Sequence, residues 1–182
     1  MLSVSRLVTA FVLVALSGCG KPPIEEAVAT NDGRAVAKVI EQGGDVNAKL
    51  SQGNTPLLLA ARNGQSSSAQ ALIEGGADIQ ARDESGNGVL HYAAQAGMTG
   101  ICGLLIERGL PINGKGEAGR TPLHLAVLGG RQETAKFLVR RGADLNLKDD
   151  AGVSALDAVT RSGDSRFRGD LEVAATLRAA QP

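Results

Sequence analysis

The stretch Gly119-Arg-Thr-Pro-Leu-His-Leu-Ala126 decides the organisation of this chain, because related stretches stand at a constant distance from it. The pattern returns every 33 residues, as Thr55-Pro-Leu-Leu-Leu-Ala60, Gly88-Val-Leu-His-Tyr-Ala93 and Ser154-Ala-Leu-Asp-Ala-Val159. Glycines further along each unit keep the same spacing, at Gly64, Gly97, Gly130 and Gly163. A period of this length predicts a solenoid of stacked repeats.

Each unit is predicted to contain two helices separated by a short turn. Thr55 and Thr121 stand where an N-cap hydroxyl can accept backbone N–H groups, and a proline follows each of them where no donor is needed. The second helix carries apolar residues at spacings of three and four, as in Ile101, Leu104 and Leu105. The glycines expected to end the second helices are Gly76, Gly109 and Gly142. Neither helix can bury its apolar face alone, so stacking of neighbouring units must supply the core.

These residues resemble the ankyrin repeat, whose pattern runs roughly Asp-x-x-Gly-x-Thr-Pro-Leu-His-x-Ala-Ala-x-x-Gly, then a second helix, then Gly-Ala-Asp-Val-Asn. Residues 116–148 match best, and they end in Gly142-Ala-Asp-Leu-Asn146. The unit before them departs from the pattern at Gly88-Val89 and Leu110-Pro111, and the one before that at Leu58. The resemblance implies an all-α solenoid of stacked helix-turn-helix units with short β-hairpin loops.

The boundaries of the units follow from the same register. The ankyrin-like domain is expected at residues 24–182, divided into an N-terminal cap, three full repeats and a C-terminal cap, at 24–49, 50–82, 83–115, 116–148 and 149–182. In the last unit, Gly169-Asp-Leu-Glu-Val-Ala-Ala-Thr-Leu177 is interpreted as the second helix, which places it six residues late. An inserted, exposed loop is therefore expected at residues 164–169.

The N-terminus shows a second pattern. Arg6 precedes an apolar stretch, Leu7 to Leu16, which is too short for a bilayer-spanning helix of about 20 residues but fits a secretory signal. Its end, Leu16-Ser-Gly-Cys19, resembles the lipobox of bacterial lipoproteins. This resemblance implies a signal peptide at residues 1–18, a diacylglycerol and further acyl groups on Cys19, and a linker at 19–23. The alternative is an ordinary signal peptide with a chance cysteine.

The resemblance also gives an expected location in the bacterial cell envelope. Gly20 follows the lipobox cysteine in place of the aspartate associated with retention at the inner membrane, which favours the inner leaflet of the outer membrane, facing the periplasm. The four residues after Cys19 reach at most about 14 Å, so the solenoid is expected to lie close to the membrane.

Charge argues against a nucleic-acid partner. The chain has 19 basic and 19 acidic residues, and removing Arg6 with the signal peptide leaves 18 basic residues against 19 acidic ones. A mature chain near neutrality provides no cationic field for a polyanion.

The residues that could carry catalysis are interpreted as parts of the scaffold. His91 and His124 stand one repeat apart, which favours a structural role over a catalytic or metal-binding one. Cys102 replaces a small apolar residue of a second helix and has no disulfide partner if Cys19 is lipidated, so a buried, inert thiol is preferred over a reactive one. No metal site, cofactor site or catalytic triad is identifiable, and the sequence predicts that the protein is not an enzyme.

The resemblance implies that partners bind to the loop tips and to the exposed ends of the first helices, which together line a concave groove. The candidate partner-binding residues are Ser51, Gln52, Asn54, Arg62, Asn63, Glu84, Ser85, Asn87, Gln95, Glu117, Arg120, Leu128, Asp150, Val153 and Arg161. Arginine is enriched among residues that dominate binding energy, so Arg62, Arg120 and Arg161 are preferred, and Tyr92 is expected to be half packed beneath the groove.

Phe167 is a further candidate, because it lies between Arg166 and Arg168 in the expected loop. It either contacts a partner or lipid headgroups, or it plugs the end of the terminal repeat.

The resemblance implies a protein–protein interaction module, monomeric by itself, whose partner is another protein. The leading hypothesis is a lipid-anchored, periplasm-facing adaptor or protective partner of a periplasmic or membrane-associated protein. An alternative is an immunity-type inhibitor of a periplasmic hydrolytic toxin, and an enzyme is the least favoured hypothesis.

Overall fold

The computed structural model describes residues 24–50 and 53–179. The predicted signal peptide, Cys19 with its linker, and the candidates Ser51 and Gln52 lie outside the described residues. Within the described ranges there is no helix long and apolar enough to cross a membrane.

The described chain is built from antiparallel helix pairs that stack side by side. The helices are α1 (Ile24–Ala29), α2 (Gly33–Glu41), α3 (Pro56–Arg62), α4 (Ser66–Glu74), α5 (Val89–Ala96), α6 (Thr99–Glu107), α7 (Pro122–Leu128), α8 (Gln132–Arg141), α9 (Ala155–Ser162) and α10 (Ser165–Ala179), with a 3₁₀ turn at Glu117–Gly119. The all-α solenoid is therefore confirmed. The loops predicted as short hairpins contain isolated antiparallel bridges, Arg82 with Gly88 and Lys148 with Ser154, and no strand is assigned in the described ranges.

The 33-residue period of the sequence fixes where every repeat helix begins. The first helices start at Pro56, Val89, Pro122 and Ala155, and the second helices start at Ser66, Thr99, Gln132 and Ser165. The predicted ends of the second helices are also confirmed, since the φ angles of Gly76, Gly109 and Gly142 are 86°, 89° and 113°. These are left-handed conformations that glycine adopts without a steric penalty.

The expected insertion at residues 164–169 is wrong. Helix α10 begins at Ser165, in register with Gln132 of α8, and extends for 15 residues where α8 has ten. Asp164 caps it, because the backbone N–H of Phe167 donates to Asp164 Oδ1 over 2.9 Å. The last helix is longer at its C-terminal end, and its early part contains Gly169, a glycine in a helix interior that costs about 1 kcal/mol relative to alanine.

The core runs along the solenoid as columns of equivalent side chains. One column consists of Leu72, Leu105, Leu138 and Leu171, and all four are fully buried in the core. A second column of small side chains lies on the first helices, at Ala60, Ala93, Ala126 and Val159. Burying a leucine side chain contributes roughly 1.5–3 kcal/mol, so the leucine column contributes substantially to the stability of the core.

Candidate functional site

The two histidines each connect the start of a first helix to a loop carbonyl. His91 Nδ1 accepts the backbone N–H of Gly88 over 3.2 Å, so Nε2 carries the proton of the neutral ring and donates to the Gly114 carbonyl at 3.0 Å. His124 repeats the arrangement, with Nδ1 3.2 Å from the backbone nitrogen of Thr121 and Nε2 3.1 Å from the Val153 carbonyl. The predicted structural role of both histidines is confirmed.

The position of His91 is occupied by different side chains in other repeats, and they differ in the hydrogen bonds that they make. Burial lowers the pKa of His91, which keeps its ring neutral and suited to this bonding pattern. Asp157 takes the place in the last unit, where it accepts the backbone N–H of Ser154 at 2.9 Å and the ammonium of Lys148 at 2.7 Å. The Lys148 hydrogen bond, followed by that backbone N–H, holds the pKa of Asp157 well below its usual range. Leu58 is buried at this position in the first repeat and can make neither bond.

The sole cysteine of the described region is part of the core. Cys102 is fully buried, and this burial raises the pKa of its thiol to about 12. A thiol with that pKa is overwhelmingly protonated at neutral pH and is a poor nucleophile. Nor do His, Cys, Asp and Glu side chains gather into a set of three that could hold a metal ion anywhere in residues 24–50 and 53–179.

The exposed ends of the first helices form a row, here called the helix row, defined by Arg62, Gln95, Leu128 and Arg161. All four side chains are exposed and stand 33 residues apart, so the row runs along the stack. Leu128 is 59% exposed, which makes it one of two large apolar side chains prominently exposed in the described region; the other is Val173.

Tyr92 connects the helix row to the loops. Its hydroxyl donates a hydrogen bond to the carboxylate of Asp83, and the guanidinium carbon of Arg62 lies 5.8 Å from its ring centroid. Its side chain is half-buried, as predicted. Asp83 in turn accepts the backbone N–H groups of Ser85 and Asn87 at 3.0 and 2.9 Å, so one contact chain runs from a helix end to a loop tip.

The loop tips present acidic side chains at the repeat spacing. Glu84, Glu117 and Asp150 are exposed in three successive loops. Arg120 lies beside them with its Nε 3.8 Å from Oδ2 of Asp149, whose side chain is only 9% exposed. Among the other candidates, Asn63 and Ser85 are exposed and Val153 is partly exposed. The surface is therefore polar and of mixed charge, with Leu128 as an apolar exception.

Two predicted partner-binding asparagines are wrong. Asn54 and Asn87 are only 7% and 5% exposed. Asn87 connects two loops, since its Oδ1 accepts the backbone N–H of Glu117 at 3.0 Å and its Nδ2 donates to Glu117 Oε2 at 3.3 Å. These amides lie one repeat apart in the sequence, the same signal that identified the histidines as parts of the scaffold.

Phe167 is also wrong as a partner or lipid contact. It is 5% exposed and belongs to the hydrophobic core, which agrees with the alternative of a plug over the terminal repeat. It stands 33 residues after the buried Thr134, so the period itself placed it on the inner face of α10.

Comparison with known families agrees with this architecture. A model of ankyrin repeats in three copies matches residues 76–149, and a model of the single ankyrin repeat matches residues 52–84. The two matches together span more than half of the chain. No curated protein matches the sequence. Ankyrin repeats are in general modules that bind other proteins, and the described domain is a protein–protein interaction module. The chain belongs to the ankyrin-repeat family.

Proposed function

We propose that this protein is a lipid-anchored adaptor that uses the helix row and loop tips to hold another protein close to a bacterial membrane, on the periplasmic side. The observation that carries the proposal is the exposure of Leu128 in the middle of the helix row. Its neighbours in the row are polar or charged, so a partner that covers Leu128 can form hydrogen bonds or ion pairs around it.

The energetics of this surface suit an anchor surrounded by polar contacts. Burying an exposed leucine side chain stabilises a complex by roughly 1.5–3 kcal/mol. Arg62 and Arg161 lie at the two ends of the helix row, and arginine is enriched among the residues that dominate binding energy. The contact between Arg62 and Tyr92 restricts the arginine side chain before any partner arrives, which reduces the entropy lost on binding.

The membrane part of the proposal is supported by the sequence Leu16-Ser-Gly-Cys19. Two or more acyl chains on one cysteine anchor a protein firmly, whereas a single chain gives marginal binding. A linker of four residues then keeps a bound partner within a short distance of the bilayer. An adaptor of this kind either positions its partner or protects it.

Capture of the partner from envelope extracts tests the binding surface. Acylated wild-type protein is compared with Leu128→Asp and with Val173→Asp, a matched change at an apolar side chain that is 58% exposed on α10 and lies outside the helix row. We expect a specific partner that is lost with Leu128→Asp and retained with Val173→Asp. Equal capture by both variants and the wild type contradicts binding through the helix row.

The anchor is tested separately. Mass spectrometry of the mature protein is expected to find an N-terminal, acylated Cys19, and Cys19→Ser is expected to move the protein out of the outer-membrane fraction. An unmodified Cys19 in a protein released with the periplasmic fraction contradicts lipid anchoring and leaves the binding surface unaffected.

A further inference from the structure

One junction between repeats lacks a hydrogen bond that its neighbours have. The backbone N–H of Asp78 donates to Asn47 Oδ1 at 2.8 Å, and two repeats later that of Asp144 donates to Asn113 Oδ1 at 3.0 Å. The corresponding residues between them are Gln80 and Pro111. Proline has no backbone N–H, so this bond cannot form at the junction of repeats 50–82 and 83–115.

A cleft of about 200 Å³ lies at this junction. One part of its wall is apolar and consists of Ile79, Leu90, Leu110 and Pro111. Its polar side chains are those of Gln80, Arg82, His91 and Arg108. Leu110 and Pro111 stand where the next repeat has Ala143 and Asp144, so the same two departures from the repeat pattern make the cleft apolar and remove a carboxylate.

The lining of the cleft thus includes two arginines and no aspartate or glutamate. Arg82 Nη1 donates to the Gly86 carbonyl at 2.5 Å and to the Lys115 carbonyl at 3.0 Å, while Arg108 Nη1 donates to the Ile73 carbonyl at 2.8 Å. Neither arginine forms an ion pair within the described ranges. A guanidinium has five N–H groups, so donors remain on both side chains.

His91 is the remaining titratable side chain in the lining of the cleft, and it brings no negative charge. Burial lowers the pKa of His91, and the positive charge of Arg82 lowers it further, so its ring is neutral at pH 7. Asp83 also affects His91, but its carboxylate accepts hydrogen bonds from the Ser85 and Asn87 N–H groups and from the Tyr92 hydroxyl, and it does not line the cleft.

We propose that this cleft binds a carboxylate carried on a small apolar group, with the carboxylate held by Arg82 and Arg108 and the apolar group packed against Leu110 and Pro111. Arginine and carboxylate have matching planar geometry, and their hydrogen bonds are roughly twice as strong as neutral ones. The C-terminal residue of a polypeptide and a free branched organic acid both have this chemistry. The site shares no residue with the helix row or with the candidate loop tips.

The test is a titration of the ¹⁵N-labelled full chain carrying Cys19→Ser, followed by the amide resonances of Gly88, Gly109 and Gly114. The probe is N-acetyl-leucine, and its amide, N-acetyl-leucinamide, is the matched probe without charge. We expect the acid to shift these resonances with saturation and the amide to leave them unchanged. 4-Methylpentanoate separates the two sources, because tighter binding of N-acetyl-leucine identifies a polypeptide C-terminus and equal binding identifies a free acid.

Variants assign the effect to the cleft. Pro111→Asp introduces the residue found at the same place in the neighbouring repeats, so it is compatible with the fold, and it returns a carboxylate to the cleft. Pro111→Asn makes a similar change without the charge. A hydrogen bond to a charged group is worth roughly 1.5–3 kcal/mol, so we expect at least about tenfold weaker binding for Pro111→Asp and for Arg108→Gln. Pro111→Asn and Arg140→Gln, at an exposed arginine outside the cleft, should bind like the parent chain.

Three results overturn the proposal. They are the absence of any shift at these glycines, equal shifts with the acid and the amide, and binding that is unchanged in Pro111→Asp and Arg108→Gln while both variants retain the amide spectrum of a folded chain.

Discussion

His91 Nε2 lies 3.0 Å from the carbonyl oxygen of Gly114, a residue at the far end of the same repeat in sequence and beside the loop of the next one in space. The ring is fixed from its other side by the N–H of Gly88. One imidazole therefore accepts a hydrogen bond from a backbone N–H at the start of α5 and donates one to a loop carbonyl. Because Nδ1 can accept the Gly88 N–H only while the ring is neutral, the stability of this part of the solenoid depends on pH.

Acidification is expected to destabilise the protein through His91. The folded state lowers the pKa of His91 below its ordinary value of 6.5, chiefly by burial, while the unfolded chain keeps the ordinary value. The unfolded state thus binds more protons as the pH falls below about 6.5, so the free energy of unfolding decreases in that direction. Urea denaturation at a series of pH values between about 7 and 5 measures the slope.

The variant His91→Leu provides the control, because Leu58 occupies the equivalent position in the first repeat. It is expected to be less stable at pH 7, by about 1–3 kcal/mol for the unpaired Gly88 and Gly114 groups, and to show a shallower pH dependence. Asp149 and Asp157 have lowered pKa values and stay charged throughout this window. An unchanged slope in His91→Leu contradicts the assignment to His91.

The asparagine bonds between repeats are expected to stabilise the junctions where they form. Asn113→Ala removes the acceptor for the N–H of Asp144, which should lower the free energy of unfolding by about 0.5–1.5 kcal/mol. Gln80→Ala is the matched change at the junction where Pro111 offers no N–H, and it should cost much less. Chemical denaturation of both variants is the measurement, and equal losses would remove the asparagine bond as the explanation.

Two glycines in second helices should respond differently to alanine. A methyl group on Gly169 of α10 meets no atom within 4 Å, so Gly169→Ala should raise stability by about 0.5–1 kcal/mol through a lower entropy cost. A methyl group on Gly103 of α6 would lie 3.2 Å from Phe137 Cζ, which forces that ring to move. Gly103→Ala should therefore gain less stability or lose some. Thermal unfolding compares them, and a larger gain for Gly103→Ala would count against this account of the packing.

The thiol of Cys102 should be inert in the folded state. It is fully buried and its pKa is raised to about 12. A reagent therefore cannot reach the sulfur, and almost none of the thiol is ionised at neutral pH. In a chain carrying Cys19→Ser, a maleimide or an aromatic disulfide reagent is expected to react with Cys102 only above the denaturation midpoint in urea. Rapid labelling without denaturant would show that α6 opens locally.

Phe167 should matter for stability and not for binding. Phe167→Ala removes a buried ring from the last helix pair and is expected to cost about 3–5 kcal/mol, the usual range for such a cavity. Circular dichroism in urea measures the loss, and partner capture is measured where the variant is still folded. A variant of wild-type stability that loses its partner would restore the role as a contact.

Much of the architecture could be predicted from the sequence, because an ankyrin-type repeat fixes structure through local signals. Caps such as Thr55 and Ser154 and glycines with positive φ act within a few residues of themselves, so they start and end helices wherever they recur. The same reasoning failed at Gly169, where a glycine was interpreted as a helix start although α10 runs through it. Register over the whole chain was the better guide there.

The candidate surface was only partly predictable, because burial depends on which neighbour covers a residue. The sequence identified Leu128 and Arg161 as exposed, but it also proposed Asn87, whose amide is covered by the loop of the following repeat. The sequence of a loop does not distinguish a polar side chain that faces solvent from one that faces a neighbouring backbone. Only the stacking of repeats distinguishes the two.

The sequence by itself determined the family, the period, the starts of the first helices and the scaffold role of both histidines. The tertiary structure decided which loop residues face solvent, that Phe167 belongs to the core, and that Gln80 and Pro111 meet at a positively charged cleft with an apolar wall. The physical reason is the distance along the chain over which the interactions act. Helix caps and turns are properties of short segments, whereas burial and the summed charge of a cleft arise only when residues about 30 positions apart come into contact.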